Sequence, residues 1–138
     1  MVKTIFHGVL TLPKLIAGML LKAYGFGGKR GIVTLKGTNV RIKADMATRY
    51  GRDLIKYGQR PSEPFLIPLM KRILMPGDIF VDIGAHWGTY SMVACALVGE
   101  NGKVLAVEPF KRSCKIILKN KDLNNFNNLT LVNKALPF

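Results

Sequence analysis

The amino-acid sequence predicts an α/β fold, a parallel sheet with helical crossovers, preceded by an N-terminal helix and a β-hairpin. Three observations predict it. From Pro76 onward, short β-rich runs alternate with stretches of helical period. The joints between them are short, and strand-helix-strand-helix-strand order with short joints implies parallel strands and right-handed crossovers. Two of the strands also end in an acid, Asp82 and Glu108, and the first runs straight into a turn pinned by Gly84 and Gly88.

The elements follow in order. Residues 1–28 read as an apolar, amphipathic N-terminal segment. The stretch from Thr4 to Leu21 is broken by His7, Pro13 and Lys14, so it falls short of the roughly 20 uninterrupted apolar residues of a spanning helix. Leu12, Leu15, Ile16 and Met19 recur at helical spacing, with Lys3, Lys14 and Lys22 available to anionic lipid. Residues 4–21 are therefore read either as a peripheral membrane contact or as a helix packed on its own domain. Gly25, Gly27 and Gly28 mark a joint.

Residues 29–75 read as a basic N-terminal subdomain. Ile32–Leu35 and Val40–Ile42 form a hairpin around a loop containing Gly37. The next stretch, to Arg60, is basic and rich in small or turn-prone residues, with no element assigned. From Ser62 the apolar residues Phe65, Leu66, Leu69, Met70, Ile73 and Leu74 predict a helix. Ser62 is placed as its N-cap and Pro64 in its first turn, while Pro68 is expected to kink it or delay its start.

Residues 76–138 carry the sheet. Pro76-Gly77-Asp78 stops the preceding helix, and Ile79–Ile83 is an apolar strand interrupted only by Asp82. Tyr90–Val98 reads as a helix ending at Gly99, Lys103–Val107 as a second strand, and Lys111–Leu123 as a helix with Cys114, Ile117 and Leu118 on one face. The Asn-rich run 124–128 is a loop before a third strand, Leu129–Val132.

Acids at the carboxyl ends of parallel strands stand where open α/β sheets bind ligands. Gly84 permits a tight turn and close approach to backbone. Gly88 lets the next helix start close to the strand, and the free N–H groups at its start suit an anion. Glu108 is placed to accept hydrogen bonds from ribose hydroxyls. The pattern is Asp82-x-Gly84-x-x-x-Gly88, with His86 where a dinucleotide fingerprint has its second glycine. Asp82 opposes a diphosphate by Coulomb's law. S-adenosylmethionine fits better, with an ammonium and a carboxylate at one end, a cationic sulfonium and a ribose for Glu108.

Charge and cysteines bound the rest. Residues 1–75 carry 14 Lys or Arg against 3 Asp or Glu, and residues 76–138 carry 7 against 5. That asymmetry points to an anionic partner. A nucleic-acid module would need aromatic residues among the charges, and before Phe65 the basic stretch offers only Tyr50 and Tyr57, so nucleic acid is disfavoured. Cys95 and Cys114 make no CxxC pair and read as packed, reduced thiols of a cytoplasmic protein. No Cys/His spacing supports a metal.

The motifs PGDIFVDIGAHWGTYS, GKVLAVEPF and LKNKDLNNFNNLTLVNKAL resemble the FkbM-type methyltransferases, a family of class I S-adenosylmethionine-dependent enzymes, over about Glu63 to Leu136. The resemblance implies a Rossmann-like sheet and methyl transfer, commonly to oxygen of a sugar or small natural product. It places Asp82, Gly84, Ala85, His86 and Gly88 on the cofactor loop, Glu108 as the ribose acid and Glu63 as an acid near the cofactor. His86 departs from the asparagine common there, and both side chains hydrogen-bond. Such a domain has about seven strands, so the sheet here is expected to be truncated after its third strand, with an unpaired edge and no activity alone. No general base is assigned. The alternatives are a nucleic-acid- or membrane-binding basic module and an NAD-dependent oxidoreductase.

Overall fold

The computed structural model of the protein describes residues 30–135. The segment 4–21 with its membrane reading, and the glycines at 25–28, lie outside them. Among the described residues no helix is long and apolar enough to cross a membrane.

Strands β1 (Arg30–Thr34) and β2 (Arg41–Asp45) form an antiparallel hairpin, with Ile32 opposite Lys43. Both predicted strands are shifted. Leu35 and Val40, assigned to strand ends, belong to the connection, where Leu35 N–H donates to Val40 O and the Thr38 hydroxyl bonds both flanking backbones. Helix α1 (Arg49–Tyr57) follows where no element was expected. The Thr48 hydroxyl accepts from Gly51 N–H at its start, and Gly58 closes its other end in the left-handed conformation.

Helix α2 (Leu66–Ile73) starts three residues later than predicted. Ser62 is not its N-cap. The chain first turns at Arg60–Glu63, and Phe65 takes the cap position without a side-chain bond. Pro68 therefore falls in the first turn, where N–H groups have no helical acceptor, and of its two expected effects the delayed start is the one observed.

Strands β3 (Ile79–Ile83), β4 (Lys103–Val107) and β5 (Leu129–Val132) form a parallel sheet in that order. Helices α3 (Thr89–Val98) and α4 (Lys111–Leu123) make the crossovers. Val104, Ala106 and Leu129 are buried on the sheet face that receives the helices. The opposite row of β3 is bare, with Ile79 72%, Val81 51% and Ile83 65% exposed. Among the described residues β3 has one strand neighbour, so its outer edge is unpaired, as expected. Leu118, predicted on the core face of α4, is exposed, whereas Cys114 and Ile117 are buried.

One buried cluster joins the hairpin to the sheet unit, with Leu35, Ile42, Leu54 and Met70 packed in the same core as Met92, Val98 and Ile117. Asn120 of α4 and Asn124, which caps its carboxyl end, clasp the outer edge of β2. Asn124 accepts from Arg41 N–H at 2.8 Å and donates to Arg41 O at 2.7 Å, as a neighbouring strand would. The fully buried Asn120 accepts from Lys43 N–H at 2.8 Å and donates to Trp87 O at 2.9 Å. Both free cysteines are buried, and burial pushes the Cys95 thiol up to about 12.

Candidate functional site

The turn after β3 and the turn after β4 meet at the carboxyl ends of the two strands. Gly84 and Ala85 donate their N–H groups to Val107 O, which folds the first turn back over the end of β4. Gly84 has φ +76°, and a Cβ built there meets nothing within 4 Å. Its backbone borders open space, the form a ligand cradle takes. Gly88 has φ +75° but a different surrounding. A Cβ there would lie 3.1 Å from Ile117 Cγ1 and 3.4 Å from Met92 Cε. The second glycine therefore admits a side chain of α4, rather than bringing a helix close to the strand. His86, between them, also has positive φ, 54°, an uncommon conformation for a residue with a side chain.

Glu108 ties the two turns together. It is 3% exposed. Its Oε2 accepts from His86 N–H at 2.8 Å and its Oε1 from Phe110 N–H at 2.9 Å. Each carboxylate oxygen retains capacity for a second donor. Cys114 Sγ and Asn133 Nδ2 both donate to the Glu108 carbonyl.

Two acids grip the first turn of α3. Asp82 Oδ2 accepts from the Ser91 hydroxyl at 2.5 Å, and Glu63 Oε2 accepts from the Tyr90 hydroxyl at 2.5 Å. Burial raises the Asp82 carboxyl above the usual range, against the lowering effect of its bonds to Ser91. Burial and the Glu63 bond push the Tyr90 phenol up. Arg60 pairs with the other Glu63 oxygen at 3.4 Å, the only ion pair among the described residues.

An aromatic group lines the loop. The His86 and Trp87 rings stack 5.4 Å apart, and Tyr50 sets its edge against both. The Tyr50 hydroxyl bonds Thr89 Oγ1 at 2.5 Å, and its pKa is raised by burial. Burial lowers the pKa of His86 and Arg60 lowers it further, with Glu108 opposing. The imidazole is consequently neutral at neutral pH.

The structure thus gathers the residues singled out in the sequence. Asp82, Gly84, Ala85, His86, Gly88 and Glu108 build the paired turns, and Glu63 joins them through Tyr90. Sequence reasoning missed Tyr50, Arg60, Tyr90 and Ser91. Tyr90 and Ser91 carried a signal, since the first helical turn after a glycine loop faces the site. Tyr50 and Arg60 carried none, because they arrive from α1 and the turn after it. No group of three or more His, Cys, Asp or Glu among the described residues could hold a metal ion.

No protein-family profile matches the chain, so the likeness to the FkbM family rests on the quoted motifs. A protein of Sulfurisphaera tokodaii, named as a cobalt-precorrin-6B C(15)-methyltransferase (decarboxylating), is 33% identical over 72 residues, 52% of this chain and 38% of its own length. The chain therefore spans well under half the length of the curated relatives it matches. Among solved structures, a protein of Clostridium thermocellum named as an rRNA-methylase superposes with a TM-score of 0.51 at 26% identity, over 56% of this chain and 42% of its own. A transferase of Pyrococcus horikoshii reaches a TM-score of 0.55 at 20% identity, over 78% and 37%. The last likeness is one of fold. The sheet, its crossovers and the hairpin form the Rossmann-like α/β arrangement of these proteins.

Proposed function

We propose that the chain is the cofactor-binding part of an S-adenosylmethionine-dependent methyltransferase. The observation that carries this reading is the cradle at the ends of β3 and β4, where open space at Gly84 adjoins Asp82 and the buried Glu108. Relatives named as methyltransferases, matched over this same kind of sheet, support it. Residues 76–138 supply the partial Rossmann-like domain, and residues 29–75 add a wall through Tyr50, Arg60 and Glu63.

When bound, the cofactor supplies an electrophilic methyl group on a sulfonium. The chain's own residues hold it. Glu108 accepts the ribose hydroxyls with the capacity its backbone bonds leave free. Asp82 offers a carboxylate to the cationic amino end, and Glu63 adds a second acid nearby. Gly84 and Ala85 bring backbone close, Gly88 sets the helix start, and neutral His86 lines the loop without adding charge opposed to a sulfonium. Catalysis of this type is mainly positioning, with methyl carbon in line between sulfur and acceptor. No described residue is assigned as general base.

The FkbM resemblance supports a finer reading, O-methylation of a sugar or small natural product, with an acceptor made anionic to match the basic surface. The curated relatives' name favours a second, a precorrin-like acceptor methylated at carbon. Location in the cytoplasm, with membrane contact through residues 4–21, belongs to the same proposal. Calorimetric titration of the chain with S-adenosylmethionine and with NAD tests the cofactor. Binding of the first and none of the second is expected, and tighter NAD binding overturns the methyltransferase reading.

A further inference from the structure

A groove of about 450 Å³ lies between the hairpin and α4. Its α4 wall presents Arg112, Lys115 and Lys119, at i, i+3 and i+7 on one helix face, and β2 presents Lys43 across from them. All four are exposed. None of the four is in an ion pair among the described residues, where Arg60–Glu63 is the only pair. The acid in the lining, Asp45, turns its Oδ1 to Ala47 N–H at 2.9 Å. Between the cations the lining is apolar, with Ile32, Ile116 and Trp87.

This arrangement does not serve stability. Like charges three and four residues apart on a helix destabilise it. A cleft whose charges are mainly of one sign, here four cations against the single acid Asp45, focuses its field on an incoming counter-charge. The volume is that of a small-molecule site. Trp87 is buried and no exposed aromatic ring faces the groove, so it lacks the stacking platform of a nucleic-acid strand. Its concave form is equally unlike the flat contact of a lipid surface.

We propose that this groove binds a small polyanion, phosphate or carboxylate groups carried on an apolar frame, at a site separate from the cofactor cradle. The inference stands on the groove alone and holds whether or not the cradle takes S-adenosylmethionine. Trp87, the single tryptophan of the chain, lines the groove and also stacks on His86 of the cofactor loop, so its emission reports the groove when read with and without S-adenosylhomocysteine.

The test is equilibrium dialysis of the full chain against labelled pyrophosphate and labelled citrate, with Trp87 emission followed in parallel, at about 50 mM salt where screening is weak. Saturable binding of either anion is expected, and the tighter of the two names the class. In the double variant Lys115→Glu/Lys119→Glu the dissociation constant should rise on the order of tenfold or more, because two attractive charges become repulsive. Lys43→Gln, on the opposite wall, should weaken both anions by a smaller factor with an unchanged circular dichroism spectrum. Added S-adenosylhomocysteine should leave anion binding intact. Unchanged affinity in both variants overturns the proposal, as does displacement by S-adenosylhomocysteine, which would put the anion on the cofactor loop. Decauridylate binding about tenfold tighter than either small anion would overturn it in favour of a nucleic-acid strand.

Discussion

Replacing Glu108 by glutamine separates its two tasks. The carboxylate accepts from His86 N–H at 2.8 Å and from Phe110 N–H at 2.9 Å, and hydrogen bonds to charged groups are worth about 1.5–3 kcal/mol each. The carboxamide keeps one acceptor but turns an N–H group toward a backbone N–H, so one of the two bonds is lost outright. A cost of about 1.5–3 kcal/mol corresponds to a melting shift of roughly 5–13 °C for a domain of this size. Ribose recognition should weaken as well, by about tenfold or more for each 1.4 kcal/mol removed. Alanine is the poorer probe, since it strips both turns of their shared acceptor and endangers the fold. Thermal melting reads the first task and calorimetric titration with S-adenosylhomocysteine the second. An unchanged melt in Glu108→Gln refutes the tie between the turns. An unchanged dissociation constant refutes the ribose role.

Three further outcomes are expected. Gly88→Ala should destabilise the chain by about 1–3 kcal/mol, because positive φ and the Ile117 contact act together. Gly84→Ala, with open space around its Cβ, should melt closer to the parent yet lose more cofactor affinity, and equal losses in both assays for both variants would contradict the division of labour. Burial depresses the His86 pKa in the folded state, so its contribution is present above the unfolded value of about 6.5 and is lost as pH falls through the folded pKa. Melts at pH 7.5 and 5.5 should therefore diverge more in the parent than in His86→Asn, whose asparagine also suits positive φ. Finally, the chain should self-associate with rising concentration through the bare face and edge of β3, and Val81→Lys should suppress this in size-exclusion chromatography without lowering the melt. A parent that stays monomeric with a cooperative melt contradicts the association expected of that open face and edge.

The sheet was legible because its signals are local. Ile79–Ile83, Lys103–Val107, Lys111–Leu123 and Leu129–Val132 have the bounds read from pattern alone, each flanked by a glycine, proline or asparagine turn. Helix α1 was illegible for the opposite reason. It buries only Gly51 and Leu54, too thin a stripe for periodicity, and its signals were the cap residues Thr48 and Gly58. The start of α2 was misplaced because Ser62 and Pro64 resemble a helix start, whereas the chain spends those residues on a turn that brings Glu63 to Tyr90. Asn120 carried no signal within the helix 111–123, and Asn124 read as the first residue of a loop. Their role as a substitute strand partner for β2 depends on contacts across 77 and 83 residues, which no window of sequence contains.

The bare row of β3 follows from handedness. Two right-handed crossovers running in one direction put both helices on the same side of the sheet, which is where α3 and α4 cover Val104, Ala106 and Leu129. Parallel strands are otherwise covered on both faces, and Ile79, Val81 and Ile83 have the side chains of a covered strand. The cradle does not depend on that missing cover. Asp82 is held by Ser91, Glu108 by two backbone N–H groups, Glu63 by Tyr90, and Gly88 by its packing on Ile117. Every one of these ties lies on the helix side of the sheet or in the turns above it. Cofactor recognition and completion of the sheet are therefore separable. Covering the open face should raise stability while leaving the cradle's geometry, and its preference among cofactors, as they are.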